Sequence, residues 1–172
     1  ICESPAAPER QVSPTRFHNS VHNAAAGYWS IATQCRAAST SLCAYDASFG
    51  AGLLDAVSQV ALDRQPIALI AYDHPYPAPL SAAREIKASF GVALVLAASR
   101  TGASLAALEV AFELQPAAAA RMRDDGLEAL RAGVPAARCL PLLSELARGG
   151  RGDVVLDLPA GAHLRVEVTP CA

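Results

Sequence analysis

The sequence has little charge of either sign. Of its 172 residues 17% are charged, and the formal net charge is −2. No cluster of Lys and Arg stands out, which argues against nucleic acid as a partner. Long apolar runs are missing as well. Stretches such as Gly91 to Ala98 are far too short to span a bilayer, and the pattern of a signal peptide is not seen. The chain has no Gly-rich phosphate loop, no paired-carboxylate spacing and no Gly-x-Ser-x-Gly elbow. Its histidines, His18, His22, His74 and His163, have no metal spacing with Cys, Asp or Glu. The five cysteines, Cys2, Cys35, Cys43, Cys139 and Cys171, are odd in number and match no zinc or disulfide framework. Free thiols in a reducing cytoplasm are therefore expected, with no metal and no cofactor. Together these absences argue against a self-sufficient enzyme.

What is present is apolar substance. Hydrophobic residues make up 52% of the chain, enough for a sizeable core in one domain spanning 1–172. Ile1 rather than Met stands first, which predicts a chain processed or incomplete at its start, with one or more strands of its sheet outside it. Residues 1–19, rich in Pro, Ser and charge, read as an irregular lead-in. Asn19 and Ser20 can cap a helix over 21–33, with Trp29 and Ile31 buried on opposite sides. Ser39 to Tyr45 reads as a strand that runs into a helix from Ala47 to about Arg64, in which Leu53, Val57 and Val60 share one face. Pro66 ends that helix. Ile67 to Asp73 is an apolar strand of the kind buried on both faces, and His74 to Pro79 (HPYPAP) is a loop at its end, where ligands approach open α/β sheets. Ser89 to Ser99 predicts a further strand, with Leu105 to Leu114 as its hairpin partner. Helices are expected over 117–132 and 136–148. Gly149 to Gly152 reads as a flexible joint, and Asp153 to Leu158 and His163 to Thr169 as a last hairpin. The order implies an α/β fold, a mixed layered sheet with helices on both faces.

The elbow of strand and helix in STSLCAYDASFGAGLLDA, residues 39–56, holds the most pointed question. A helix N-terminus lowers a thiol's pKa and offers N–H groups to an oxyanion. Here Asp46 occupies the elbow, as a substrate-directed carboxylate or as an N-cap. Cys43, within the predicted strand, reads as a buried small hydrophobe or as a nucleophile. His22 and His74 are the two histidines placed where a site could use them, or they are solvent-facing structural residues.

The stretch from Ser13 to Leu96 resembles the β-ketoacyl synthases of fatty acid and polyketide synthesis, which have the thiolase fold, in the pieces SPTRFHNSVHNAAAGYWSIAT, STSLCAYDASFGAGLLDAV, PIALIAYD and FGVALVLAA. The resemblance implies a thiolase-like half fold. Laid without gaps from Ala26 and Gly27, the family's nucleophilic Cys falls on Asp46. A carboxylate is a poor acceptor for an acyl group from a carrier thioester, and the family's two C-terminal histidines have no matching motif here. Synthase-like subunits without the Cys are chain length factors, and the first piece looks like the short chain-length-factor group of aryl polyene clusters. What this implies is a non-catalytic subunit that forms a heterodimer with a catalytic β-ketoacyl synthase, or pairs with itself. It would help enclose an acyl chain tethered to acyl carrier protein, in the cytoplasm. A condensing or acyl-transfer enzyme using Asp46 or Cys43, and a purely structural scaffold, are the alternatives. In the resembling family the strand before the nucleophile lies at the dimer seam. Here that makes Ser39, Thr40, Ser41, Leu42, Cys43 and Ala44, none of them charged, the expected partner interface.

Overall fold

The structure is a computed structural model that describes residues 13–115 and 117–171. The chain divides into two compact units, Ile1–Leu42 and Cys43–Ala172. The α/β class expected from the sequence is the class found.

In the first unit the expected lead-in is already helical where it is described. Ser13 caps α1 (Pro14–His18), accepting a hydrogen bond from the Arg16 N–H, and Pro14 fits the first turn because its missing N–H has no helical partner there. Residues 1–12 lie outside the described residues. The helix predicted over 21–33 is α2 (Ala24–Thr33), closed by Gln34 in the left-handed conformation. The Tyr28 hydroxyl donates to Asn19 Oδ1 at 2.7 Å, tying the two helices together. Contrary to expectation, α2 buries no residue: Trp29 is 58% and Ile31 73% exposed. Among the described residues of this short unit nothing is large enough to cover both sides of a helix that is apolar all round.

The segment predicted as a strand over 39–45 has no regular structure through Ala44. A strand needs a neighbour for its ladder, and none of the described strands pairs with it. The chain then tightens into a 3₁₀ turn, Tyr45–Ala47, and enters α3 (Ser48–Asp63). Phe49, Leu53, Ala56 and Val60 are buried at helical spacing, so one face of α3 forms the core. Gly50 lets this helix approach the sheet, since a Cβ there would collide with the Asp157 carbonyl oxygen. Arg64, in the left-handed conformation, ends α3, and its N–H bonds the Val60 carbonyl at 3.1 Å.

The strand β1 (Ile67–Asp73) has the predicted bounds. It is followed by the HPYPAP loop, a single turn α4 (Leu80–Ala83), and β2 (Phe90–Leu96). The two strands pair antiparallel, Ile67 opposite Leu96 and Asp73 opposite Phe90. Burial alternates along both. Leu69, Ala71, Val92 and Leu94 pack on the core while Ile70, Tyr72 and Val95 are exposed, so one face of β1 is covered and not two.

The next strand, β3 (Ala106–Glu113), is not the hairpin partner of β2. It belongs to a second, three-stranded antiparallel sheet of order β3–β5–β4, with β4 (Gly152–Asp157) and β5 (His163–Pro170) joined by the predicted hairpin around Pro159–Gly161. Between β3 and β4 the Ala-rich stretch is helical only from α5 (Asp125–Gly133) onward. Asp124 caps α5 by accepting from the Leu127 N–H, and Ala120 donates its N–H to the Val155 carbonyl, so residues before the cap are held to the sheet. The helix predicted over 136–148 is a 3₁₀ turn, Pro135–Cys139, leading into α6 (Leu140–Arg148). Asp73, at the end of β1, accepts the Ala136 N–H at 2.6 Å and so caps that turn. Gly149 ends α6 with a positive φ of 63°, where glycine has no steric penalty. The core joins Phe49 and Leu53 of α3, Leu142 of α6, and Val154, Leu156, Leu164, Val166 and Val168 of β4 and β5.

Candidate functional site

Asp46 is not a helix cap. It lies inside the 3₁₀ turn, and no side-chain cap bond is made at the start of that turn or of α3. Ser48 ties this end instead: its hydroxyl accepts the Ala44 N–H at 2.9 Å and donates to the Tyr45 carbonyl at 2.7 Å. With the local donors so engaged, the Asp46 carboxylate turns to two guanidinium groups. Its Oδ1 accepts from Arg84 Nη2 at 2.6 Å, and its Oδ2 lies 3.6 Å from Arg138 Nη2. Arg138 also donates from Nη1 to Asp157 Oδ2 at 2.8 Å, which links the elbow to the end of β4. Tyr45, held at a φ of 57°, carries the Arg84 guanidinium 4.4 Å above its ring centroid. The hydrogen bond that Arg84 donates to Asp46 raises the Arg84 pKa above its already high ordinary value.

This is a clasp of alternating charges around the elbow. Asp46 remains 54% exposed, and the cavity that it shares with Phe49, Gly50, Arg131, Arg138 and Asp157 has room for about one water molecule, about 10 Å³. The cavity itself is too small to take a substrate carbon chain. Beside the cavity, Glu128 accepts two bonds from Arg131 and one from the Met122 N–H, and these hold its carboxyl down at about 2.

The other candidates are scattered. Cys43 is exposed, not buried, because residues 38–44 join no sheet. The buried thiol is Cys139, which burial pushes up to about 12 and so keeps protonated and unreactive. His74 Nδ1 lies 2.7 Å from Ser89 Oγ and so is engaged away from Asp46, while His22 is exposed in the first unit. His163, not singled out in the sequence, is buried beside Glu113, with Nε2 3.0 Å from Oε2. Of the expected interface residues, Ser39, Thr40, Leu42 and Cys43 are exposed and Ser41 and Ala44 half-buried. Among the described residues no group of three or more His, Cys, Asp and Glu could hold a metal ion.

Sequence reasoning found Asp46 but missed Arg84, Arg138 and Asp157. Nothing in their spacing marks them, since the clasp is made only by the fold.

The family described as beta-ketoacyl synthase, N-terminal domain, matches residues 6–146 of the chain. No curated protein matches it significantly in sequence. Among solved structures, a chain of the complex of a ketosynthase, ApeO, with its chain length factor, ApeC, from Xenorhabdus doucetiae is similar, with a TM-score of 0.65 and 20% identity over 96% of this chain and 62% of that chain. The present chain thus spans less than two thirds of that chain's length and has its fold.

Proposed function

The chain belongs to the β-ketoacyl synthase N-terminal domain family, and from that premise we propose that it is a non-catalytic subunit, a chain length factor, paired with a catalytic ketosynthase. One observation carries this reading. The residue laid under the family's nucleophile is a carboxylate, and Arg84 and Arg138 bind it from both sides. A nucleophile needs an electron-rich, unneutralised atom in a space that admits the acyl carbon; here two guanidinium groups draw charge from a carboxylate that is already a weak nucleophile, and the neighbouring cavity admits about one water. A solved relative in fold that is a ketosynthase bound to its chain length factor agrees with this reading. The pair would extend a chain tethered to acyl carrier protein, in the cytoplasm, with aryl polyene synthesis as the pathway class. Among the described residues no helix is long and apolar enough to cross a membrane. The seam would be the uncharged segment Ser39 to Ala44, folding into a strand when a partner supplies its ladder.

One observation favours a second reading, acyl transfer through a thiol: Cys43 is exposed and free. The two readings part on intact mass after incubation with an acyl carrier thioester. The subunit should stay unmodified alone and should co-purify with its ketosynthase, changing the length distribution of the products. A stable acyl adduct on Cys43 would sink the non-catalytic reading.

A further inference from the structure

The sheet β3–β5–β4 has two outer strands that differ. The edge of β4 is partly occupied, since the Ala120 N–H bonds the Val155 carbonyl at 2.9 Å. The edge of β3 has no strand beside it among the described residues, and Leu105, Phe112 and Leu114 along it are exposed. An open edge flanked by apolar side chains is a template for another strand.

The strand's own sequence selects which one. Leu108, Val110 and Phe112 stand opposite Val168, Val166 and Leu164 of β5, all buried, so they lie on the core face. Glu109 and Ala111 stand opposite Glu167 and Arg165, both exposed, and with Ala107 and Glu113 they form the other face. Two copies of β3 paired antiparallel must set like face beside like face, so only alternate registers are open. Centred on Glu109, the pairing opposes Glu109 to itself. Centred on Ala111, it opposes Glu109 to Glu113. Like charges directly opposite destabilise a sheet. Centred on Val110, it sets Glu109 against the partner's Ala111, Glu113 against the partner's Ala107, and Leu108 against the partner's Phe112. Centring on Leu108 or Phe112 also avoids a carboxylate clash but pairs a shorter part of β3, whereas the Val110 register pairs nearly all of it, covers the exposed phenyl ring, and leaves the contact of Glu113 with His163 in place. On β1 and β2, by contrast, the only charged residue is Asp73, so nothing there selects a register.

We propose that β3 is the seam of a two-fold dimer of this chain, paired antiparallel about Val110 so that two three-stranded sheets become one. This seam is separate from the ketosynthase seam proposed at Ser39 to Ala44 and does not rest on it.

The purified chain, without any synthase, should run as a dimer in size-exclusion chromatography with light scattering. Ala111 is exposed, so Ala111→Glu should keep the fold, checked by circular dichroism. The substitution sets a new carboxylate against the partner's Glu109 twice per dimer, and should weaken self-association about tenfold. Adding Glu109→Lys to that variant turns both clashes into ion pairs and should restore the dimer. Leu42→Lys should leave this dimer intact. A wild-type chain that is monomeric at its highest soluble concentration would overturn the proposal. So would an unaffected Ala111→Glu variant, failure of the double variant to recover, or loss of the dimer in Leu42→Lys. A wild-type monomer whose synthase complex is broken by Ala111→Glu would give the edge to the synthase instead, and would also overturn it.

Discussion

Two helices, α2 and α3, are both dominated by Ala and apolar side chains, yet they meet opposite fates. The second buries Phe49, Leu53, Ala56 and Val60, and the first buries nothing. Composition does not separate them. What does is the surroundings: α3 has a sheet against it, and α2 carries Tyr28, Trp29 and Ile31 with no cover from the described residues of its own unit. An apolar helix without a core is an incomplete structure, and the segment Ser39 to Ala44 that follows it is incomplete in the same sense. The part of the molecule that resembles an active-site scaffold is closed and satisfied. Under the proposed function, the part that leads into it is the part a partner subunit completes.

The largest effect should come from breaking the satisfied side of this contrast. Leu53 is fully buried, so Leu53→Ala should cost ~2–5 kcal/mol by chemical denaturation. Ile31→Ala on the exposed helix should change the stability of the isolated chain by less than about 0.5 kcal/mol. If the two cost the same, the contrast between the helices is wrong.

A middle-sized effect tests the unsatisfied side. Leu42 is 42% exposed, so Leu42→Lys should leave the melting temperature of the free chain nearly unchanged while weakening its complex with a ketosynthase, because a charge would be buried at the seam. Ala44→Pro is a poorer probe of the same seam, since the Ala44 N–H already bonds Ser48 and its loss would disturb the start of α3. Titration of both proteins against the synthase by calorimetry distinguishes the cases. Undiminished affinity of Leu42→Lys would move the seam elsewhere.

What the sequence made legible was local. The bounds of β1 and the hairpin of β4 and β5 follow from an apolar run after Pro66 and from Pro159–Gly161 between two alternating stretches. The pairing of β3 was not legible, because its partner β5 lies beyond two helices and a strand, and alternation states that a strand exists without stating its neighbour. The same gap explains the stretch 117–132. Ala-rich propensity favours a helix throughout, but the capping bond at Asp124 and the tie of Ala120 to Val155 start it late. At the candidate site, resemblance located Asp46, while Arg84, Arg138 and Asp157 reach it from three other parts of the chain. A cap is a local hypothesis, and the structure replaced it with a non-local one.

That replacement changes what substitution of Asp46 should do. For a cap, Asn would nearly match Asp while Ala would lose the bond. For an ion-paired carboxylate that is 54% exposed, Asn and Ala both remove the charge that holds Arg84 and Arg138, and both should cost about 0.5–1 kcal/mol. The loss should shrink in high salt, because exposed pairs are screened. Asp46→Glu, which keeps the charge, should cost less than either. Denaturation of the three variants at low and high salt checks this, and an Asn variant as stable as wild type would bring the cap back.

The smallest effect is a pH dependence at the start of α5, well inside the satisfied unit. The Glu128 carboxyl is lowered from an ordinary 4.5 to about 2, first by its bonds from Arg131 and then by the Met122 N–H. A carboxyl lowered on folding contributes stability that is fully present above its unfolded value and is lost as pH falls through its folded one. The contribution of Glu128 should therefore hold above about 4.5 and disappear as the pH falls toward about 2. In Glu128→Gln the same interval should be flatter, with the neutral side chain keeping some hydrogen bonds but no charge for Arg131. The carboxyl carbon of Glu128 can be followed directly by NMR through an acid titration, with the Met122 amide as a second reporter. Titration of Glu128 near 4.5, with the Met122 amide unmoved at lower pH, would show that the clasp at α5 is not formed in solution.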